Sequence, residues 1–290
     1  MFLNNPPIEE YKIDYKGGYH IKIQRDDLID PLVSGNKLRK LLGWWDHSQK
    51  TENKNKSWVT FGGPFSNHIL ATAAFCSKQN ISCTGIIRGD EKFENHYLSE
   101  CEKLGMKLEF VSRGEFRNKL VLYEKYRNRN FFVIPEGGSG ELGLAGFDQL
   151  IKSWKEEPEF IIHASATATT ACGLKSALDK RGWKSKVIAV MVLKNKQEQE
   201  RNALEWLGKN HRIEFLDNYN FGGYAKTTPE FVSFLKEIIP KLSFPIDPVY
   251  VGKALYAFIS EERFRPNNSI FLHTGGQLGS RSDRFKQLLG

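Results

Sequence analysis

The sequence of 290 residues is poor in the features that usually announce a function. Its four cysteines, Cys76, Cys83, Cys101 and Cys172, lie far apart without a CxxC pair, so neither a disulfide framework nor a zinc site is expected. Such thiols suit a reducing cytoplasm. The apolar run Val187 to Leu193 is too short for a bilayer, and the opening MFLNNPPIEEYK has neither the basic nor the apolar region of an export signal. Export and membrane insertion are therefore not expected. No internal repeat, low-complexity tract or long Pro/Gly linker stands out. The spacings HExxH, GxSxG and GxxxxGK[ST] are all missing, which counts against zinc hydrolysis, a serine hydrolase and a phosphate P-loop.

Lysine and arginine number 42 against 34 aspartates and glutamates, a formal charge of +8. The basic residues are spread along the chain among acidic ones. With no block of like charges and no RNA- or DNA-reading motif, a solvated basic surface is expected, with no nucleic-acid or membrane partner. Hydrophobic residues at 40% and charged residues at 26% are ordinary globular values, so a sizeable core can be buried and wholesale disorder is not expected. At roughly 100 to 200 residues per domain, the length allows two domains.

From about residue 57 onward, short β-branched or aromatic runs alternate with segments of helical period, the rhythm of βαβ units and parallel sheets. SWVTFGG, ISCTGIIRG, KLEFVS, FFVIPEGG, EFIIHAS, KVIAVMVL, RIEFLDN and SIFLHTGG read as strands, and NHILATAAFCSKQN reads as a buried helix. The polar stretch from His47 to Ser57 and the segment from Ile134 to Gly143 interrupt the rhythm. An α/β unit over about 45–146, set into a second unit built from 1–44 and 147–290, is the expected division.

Three turns that open helices could carry chemistry. In SGNKLRK, Leu41 and Trp44 fall within about 40° of Lys37 on a helical wheel and Arg39 falls nearly opposite, so Lys37 shares a packed face. Burial lowers a lysine pKa and suits Schiff-base chemistry, although a first-turn lysine can also simply reach solvent. In GGPFSNH, the turn aims backbone N–H groups at an anion, or Ser66 and Asn67 merely cap the helix; His68 serves the site or the core. The turn from Ala164 to Leu174, rich in threonine, suits a phosphate dianion, or packs small residues against a sheet. FGGYAK, DPVYVGK and HTGG each read as a turn with an aromatic or polar anchor.

In order, QRDDL, SGNKLRK, FGGPFSNH, IPEGG, the threonine-rich turn, FGGYAK, DPVYVGK and HTGG resemble the pyridoxal-phosphate enzymes of the 1-aminocyclopropane-1-carboxylate deaminase and D-cysteine desulfhydrase family. The match spans nearly the whole chain. The resemblance implies an α/β fold of two open parallel-sheet domains, tryptophan synthase β-subunit-like (fold type II), the larger being cofactor-binding and the smaller inserted. It also implies pyridoxal 5'-phosphate as cofactor, a small amino acid as substrate, and a homodimer.

By the same resemblance Lys37 is the Schiff-base lysine and general base, and Asn67 bonds the cofactor's phenolic oxygen. Ser66 acts in catalysis or binds the substrate carboxylate beside Asn67 and His68, and Tyr224 and Tyr250 line the substrate side. Ala166, Thr167, Ala168, Thr169 and Thr170 stand where the family carries a GTGGT-like phosphate loop. Val251 stands where it places Thr or Glu against the pyridine nitrogen, and Thr274 is a further cofactor-side residue. If the replaced glycines had positive φ, each alanine would be strained by about 1–2 kcal/mol. The implied reaction is that of a lyase or deaminase. A second reading, motivated by Ala166, Ala168 and Val251, is a relative that binds an amino acid or other small anion without turnover.

Overall fold

A computed structural model describes residues 5–15, 18–33, 35–89, 95–264 and 268–276; Ser34 of the SGNKLRK motif lies outside them. Two compact units divide the chain, Met1–Asn36 with Phe147–Gly290, and Lys37–Gly146. The first boundary falls inside the opening helix rather than near residue 45. A helix running unbroken across a boundary gives the sequence no punctuation to read there.

The chain enters the first unit with β1 (Ile8–Ile13) and β2 (Tyr19–Gln24) and leaves it along α1 (Gly35–Gln49). The second unit follows with β3 (Trp58–Gly62), α2 (Asn67–Gln79), β4 (Cys83–Arg88), α3 (His96–Lys103), β5 (Lys107–Val111), α4 (Arg113–Arg117), α5 (Lys119–Arg127) and β6 (Phe132–Ile134). Its sheet is parallel throughout, in the order β5-β4-β3-β6. All five residues of β3 are buried, as expected of a strand covered on both faces. Phe61, Ile86, Leu122, Tyr126 and Val133 form part of the core on one side.

Back in the first unit come α6 (Asp148–Ser153), β7 (Phe160–Ser165), α7 (Thr169–Lys180), β8 (Lys186–Met191), α8 (Lys196–Leu207), β9 (Ile213–Leu216), α9 (Pro229–Ile238), α10 (Val251–Ser260) and β10 (Ser269–Leu272). The sheet order is β1-β2-β10-β7-β8-β9. Its pairs are parallel except the edge pair β1–β2, which is antiparallel. That hairpin is absent from the sequence reading, because β1 (IEEYKI) is largely unburied and its charges blur the apolar alternation that marks a strand.

In both sheets the strand order reverses beside the strand that starts the unit's run of βα connections. After β3 the chain builds outward to β4 and β5, then returns to the other flank of β3 as β6; after β7 it builds to β8 and β9, then returns to the other flank as β10. Such reversals leave a crevice at the carboxyl ends of the strands, where open α/β sheets bind ligands. The turn 63–66 after β3, the segment 135–138 after β6, the turn 166–168 after β7 and residues 273–274 after β10 all sit at such ends.

Close backbone approach fixes α1 within each unit. In the first, Gly35 has φ +64 and an added Cβ would lie 2.0 Å from the Thr274 carbonyl oxygen; the Asn36 N–H donates to that same oxygen at 3.2 Å. In the second, a Cβ on Gly43 would lie 2.4 Å from the Leu142 carbonyl oxygen, and one on Gly146 would lie 1.7 Å from that of Arg39. Main chain against main chain cannot yield as a flexible side chain can. Gly146→Ala is therefore expected to lose at least about 1–3 kcal/mol by overpacking, read as a lower urea midpoint at unchanged slope.

Candidate active site

In the second unit the first turns of α1 are buried on nearly every side. Among residues 35–41 only Lys37 is half-buried and the rest are buried. Arg39, expected on the far side from the packed face, is itself 3% exposed. The wheel placed Lys37 beside Leu41 and Trp44, but it assumed one open face, and this helix has almost none. Lys40 is 2% exposed and donates to the Gly137 carbonyl at 3.2 Å. Burial, reinforced by the charge of Lys37, pushes the Lys40 pKa well below the usual lysine value.

The turn after β3 brings Ser66 and Asn67 to the start of α2. Ser66 occupies the N-cap position with extended backbone, yet its side chain makes no capping hydrogen bond. Capping therefore does not account for the serine, and its hydroxyl stays available to a ligand. Both Ser66 and Asn67 are half-buried.

His68 is 1% exposed, and its Nε2 meets Thr60 Oγ1 at 2.8 Å. The Thr60 hydroxyl donates to the Ile134 carbonyl, so it must accept from His68, which puts the imidazole proton on Nε2. Nδ1 then carries a lone pair and finds no hydrogen-bond partner. A Cβ on Gly138, at φ +66, would sit 3.2 Å from the ring. Nε2 thus ties α2 to the Thr60 hydroxyl that bridges β3 and β6, and Nδ1 can only accept, so a substrate carboxylate could be met by this residue only at its backbone N–H.

In the first unit the turn after β7 leads into α7. Thr169 and Thr170 are buried, and Thr170 Oγ1 accepts from Asn36 Nδ2 at 2.9 Å, which leaves the Thr170 hydroxyl proton to donate elsewhere. The turn is held from α8: Asn195 donates to the Ala166 carbonyl, while Ser165 donates to Gln199. Ala168 adopts φ −61 and ψ −19, and neither Ala166 nor Ala168 is among the non-glycine residues at positive φ. The strain that would follow from glycine-like φ is absent, because this loop has settled into a conformation that alanine tolerates. Threonine hydroxyls and first-turn N–H groups at a helix start are donors suited to a phosphate dianion, so these residues fit such a group.

Tyr224 and Tyr250 meet edge-on, with ring centroids 6.2 Å apart, and Tyr224 is 51% exposed. Asp247, 2% exposed, accepts the N–H groups of Val249, Tyr250 and Val251 and so shapes the entry to α10. Val251 is 1% exposed and offers no polar side-chain atom. Thr274, 8% exposed, follows β10 and accepts at its carbonyl from Asn36. The segment bearing Tyr224 is contorted: Phe221, Gly222, Gly223 and Ala225 all have positive φ. The two non-glycine residues among them cost on the order of 1–3 kcal/mol each. Sequence reasoning missed Asn36, Lys40 and Asp247 as residues that hold the segments bearing the candidate side chains. The dipeptide Asp247-Pro248 was the one available signal, since Asp before Pro favours turn initiation.

The thiols offer no nucleophile. All four cysteines are free and buried, and burial pushes Cys101 and Cys172 up to about 12.

No protein-family profile matches the chain. Curated relatives do. A Thermotoga maritima protein, provisionally named a 1-aminocyclopropane-1-carboxylate deaminase, is 29% identical over 96% of both chains. The resemblance is to 1-aminocyclopropane-1-carboxylate deaminases and D-cysteine desulfhydrases. A bifunctional D-cysteine desulfhydrase/1-aminocyclopropane-1-carboxylate deaminase of Arabidopsis thaliana is 28% identical over 94% of this chain and 77% of its own. A D-cysteine desulfhydrase of Klebsiella pneumoniae is 27% identical over 89% and 87%. Among solved structures, one titled as an ACC deaminase homologue superposes with a TM-score of 0.80 at 23% identity, over 100% of this chain and 95% of that one. A pyridoxal 5'-phosphate-dependent aspartate racemase superposes at 0.65 with 12% identity, over 93% and 90%. The fold is therefore fold type II of the pyridoxal-phosphate enzymes.

Two measurements check this account. In the fold His68 stays neutral, because burial and then the charges of Lys37 and Lys40 push its pKa well below 6.5, whereas the unfolded chain takes up a proton near that value. The stability due to this group is thus present above about pH 6.5 and is lost as pH falls below it. The urea midpoint should fall between pH 7 and 5, and fall less in His68→Gln. Ala168→Gly should not bring the gain of about 1–2 kcal/mol that relief of a left-handed alanine would give, because Ala168 has φ −61.

Proposed function

We propose that the chain is a pyridoxal-phosphate-dependent lyase or deaminase of small amino acids, of D-cysteine or 1-aminocyclopropane-1-carboxylate type. The observation that carries the reading is Lys37: the one half-open position in an otherwise buried helix start, two residues after a glycine that no other residue can replace without clash.

When bound, pyridoxal phosphate supplies an electron sink for negative charge at the substrate's α-carbon. Lys37 Nζ would hold the cofactor and, once the substrate amine takes its place, accept the α-proton. The Thr169 and Thr170 hydroxyls, with the N–H groups that open α7, would take the phosphate, and Asn67 would bond the phenolic oxygen. Ser66 and the His68 backbone would receive the carboxylate, and Tyr224 and Tyr250 would flank the reacting carbons. With D-cysteine the thiol leaves from the β-carbon and water completes the balance, giving pyruvate, hydrogen sulfide and ammonia. With the cyclopropane substrate, attack or proton removal on the ring opens it. The buried, unreactive thiols suit a cytoplasmic protein; the homodimer rests on the resemblance alone.

The second reading, a relative that binds an amino acid or small anion without turnover, loses the support of Ala166 and Ala168, which are unstrained. It keeps Val251, whose buried side chain cannot pair with a pyridine nitrogen; an unpaired polar atom there costs about 1–3 kcal/mol. Purified protein given pyridoxal phosphate should develop the visible absorbance of a lysine-bound cofactor, absent in Lys37→Ala, and should release pyruvate from D-cysteine or 2-oxobutanoate from the cyclopropane amino acid. A band without turnover favours the second reading, and no band rejects the catalytic one.

A further inference from the structure

Lys253, the third residue of α10, is 0% exposed. A fully buried ammonium requires strong partners, and this one has carbonyls. Its Nζ donates to the Asn220 oxygen at 2.7 Å and to the Gly223 oxygen at 2.7 Å. Those two carbonyls bracket the turn Asn220–Gly223, which leads directly into Tyr224. The turn has its own weaker ties: Gly223 N–H to the Asn220 carbonyl, Gly222 N–H to Asn220 Oδ1, and the Phe221 ring stacked on Phe231 at 4.3 Å. Against them works the positive φ of Phe221 and Ala225. Left to local preference, this backbone would relax elsewhere.

The opposite charge lies nearby. Asp247 and Lys253 interact electrostatically, and each holds one tyrosine-bearing segment by its main chain: Asp247 takes the N–H groups of 249–251, and Lys253 takes the carbonyls of 220 and 223. The rings of Tyr250 and Tyr224 meet as a result. We propose that Lys253 is a positioning residue for the reaction: it locks the strained 220–223 turn so that Tyr224 is presented against Tyr250 toward the substrate. The proposal rests on the reading that these tyrosines flank the substrate.

The test uses the cofactor-loaded protein with D-cysteine. Lys253→Met should raise hydrogen exchange in residues 218–226 while leaving the strands of the sheet protected, and should lower kcat roughly 10- to 100-fold with a smaller change in KM. The absorbance of the lysine-bound cofactor should persist. Because Lys253 acts through Tyr224, the kcat losses of Lys253→Met and Tyr224→Phe should not add, the double variant being about as slow as the slower single one. Lys253→Gln, which keeps two N–H donors, should recover part of both signals. If Lys253→Met loses protection along the whole chain, Lys253→Gln is read by the same criteria.

Unchanged exchange in 218–226, a kcat within about twofold of the parent, or fully additive losses would each overturn the positioning role while the absorbance band leaves the functional reading standing. If the parent protein shows neither band nor turnover, the functional reading fails first and the role of Lys253 in a reaction fails with it.

Discussion

Reversal of strand order in a parallel sheet is the constraint on which the rest of this chain depends. A right-handed crossover must follow each strand, so a sheet that grows outward from β3 or β7 and then returns to the other flank leaves adjacent carboxyl ends uncovered. In the second unit those ends belong to β3 and β6, and Thr60, His68 and Ile134 tie them together just below the turn that carries Ser66. In the first they belong to β7 and β10, with Thr170, Asn36 and Thr274 linked across the ends. Both sets of candidate residues sit at the strand ends beside the two crevices.

Each crevice has required the burial of groups that prefer water, and the two units meet the requirement differently. Around Lys37, burial pushes both Lys40 and His68 well below their ordinary values, with desolvation as the first cause. Near Tyr250 the charge is paired with backbone dipoles. Asp247 is surrounded by N–H groups and Lys253 by carbonyls, so each ion finds its complement in main chain. A neutral imidazole beside Lys37 adds no charge to that amine's surroundings. Ions fixed to backbone, by contrast, hold loops in shapes that local preference opposes.

Much of the fold was legible because β-branched and aromatic runs are distinctive: strands such as FIIHAS and KVIAVM are buried along nearly their whole length. The hairpin β1–β2 was not, since an edge strand with charged residues satisfies no strong periodicity. Within the candidate site, Lys37 stood out only through the family resemblance, since its helix alone allowed a lysine that reaches solvent, and the surroundings of Arg39 were hidden because a helical wheel cannot report packing from segments distant in sequence. Lys253 was hidden for the same reason. In sequence it is one lysine in DPVYVGK, and only the fold brings two carbonyls some thirty residues upstream onto its ammonium. The substitution of alanine for glycine in the phosphate turn was visible at once; its consequence was not, since that depends on the sign of φ at Ala166 and Ala168.

These residues also bear on the formal charge of +8. Lys40 and Lys253 are internal, Lys175 is buried against Asp179, and Arg25 is forked onto Asp27 with Glu9 beside it. Among the described residues these buried cations, with Arg39, are nearly matched by the buried Asp26, Asp27, Asp30 and Asp247, so burial accounts for almost none of the excess. Several of the remaining cations stand in surface pairs such as Arg263 with Glu214 and Lys180 with Asp148. Exposed pairs of this kind contribute little individually. A binding surface for polyanions would be marked by a block of like charges, and the sequence holds none. In the proposed reading the anions are small, a cofactor phosphate and a substrate carboxylate, met by hydroxyls and main-chain N–H groups at the ends of strands.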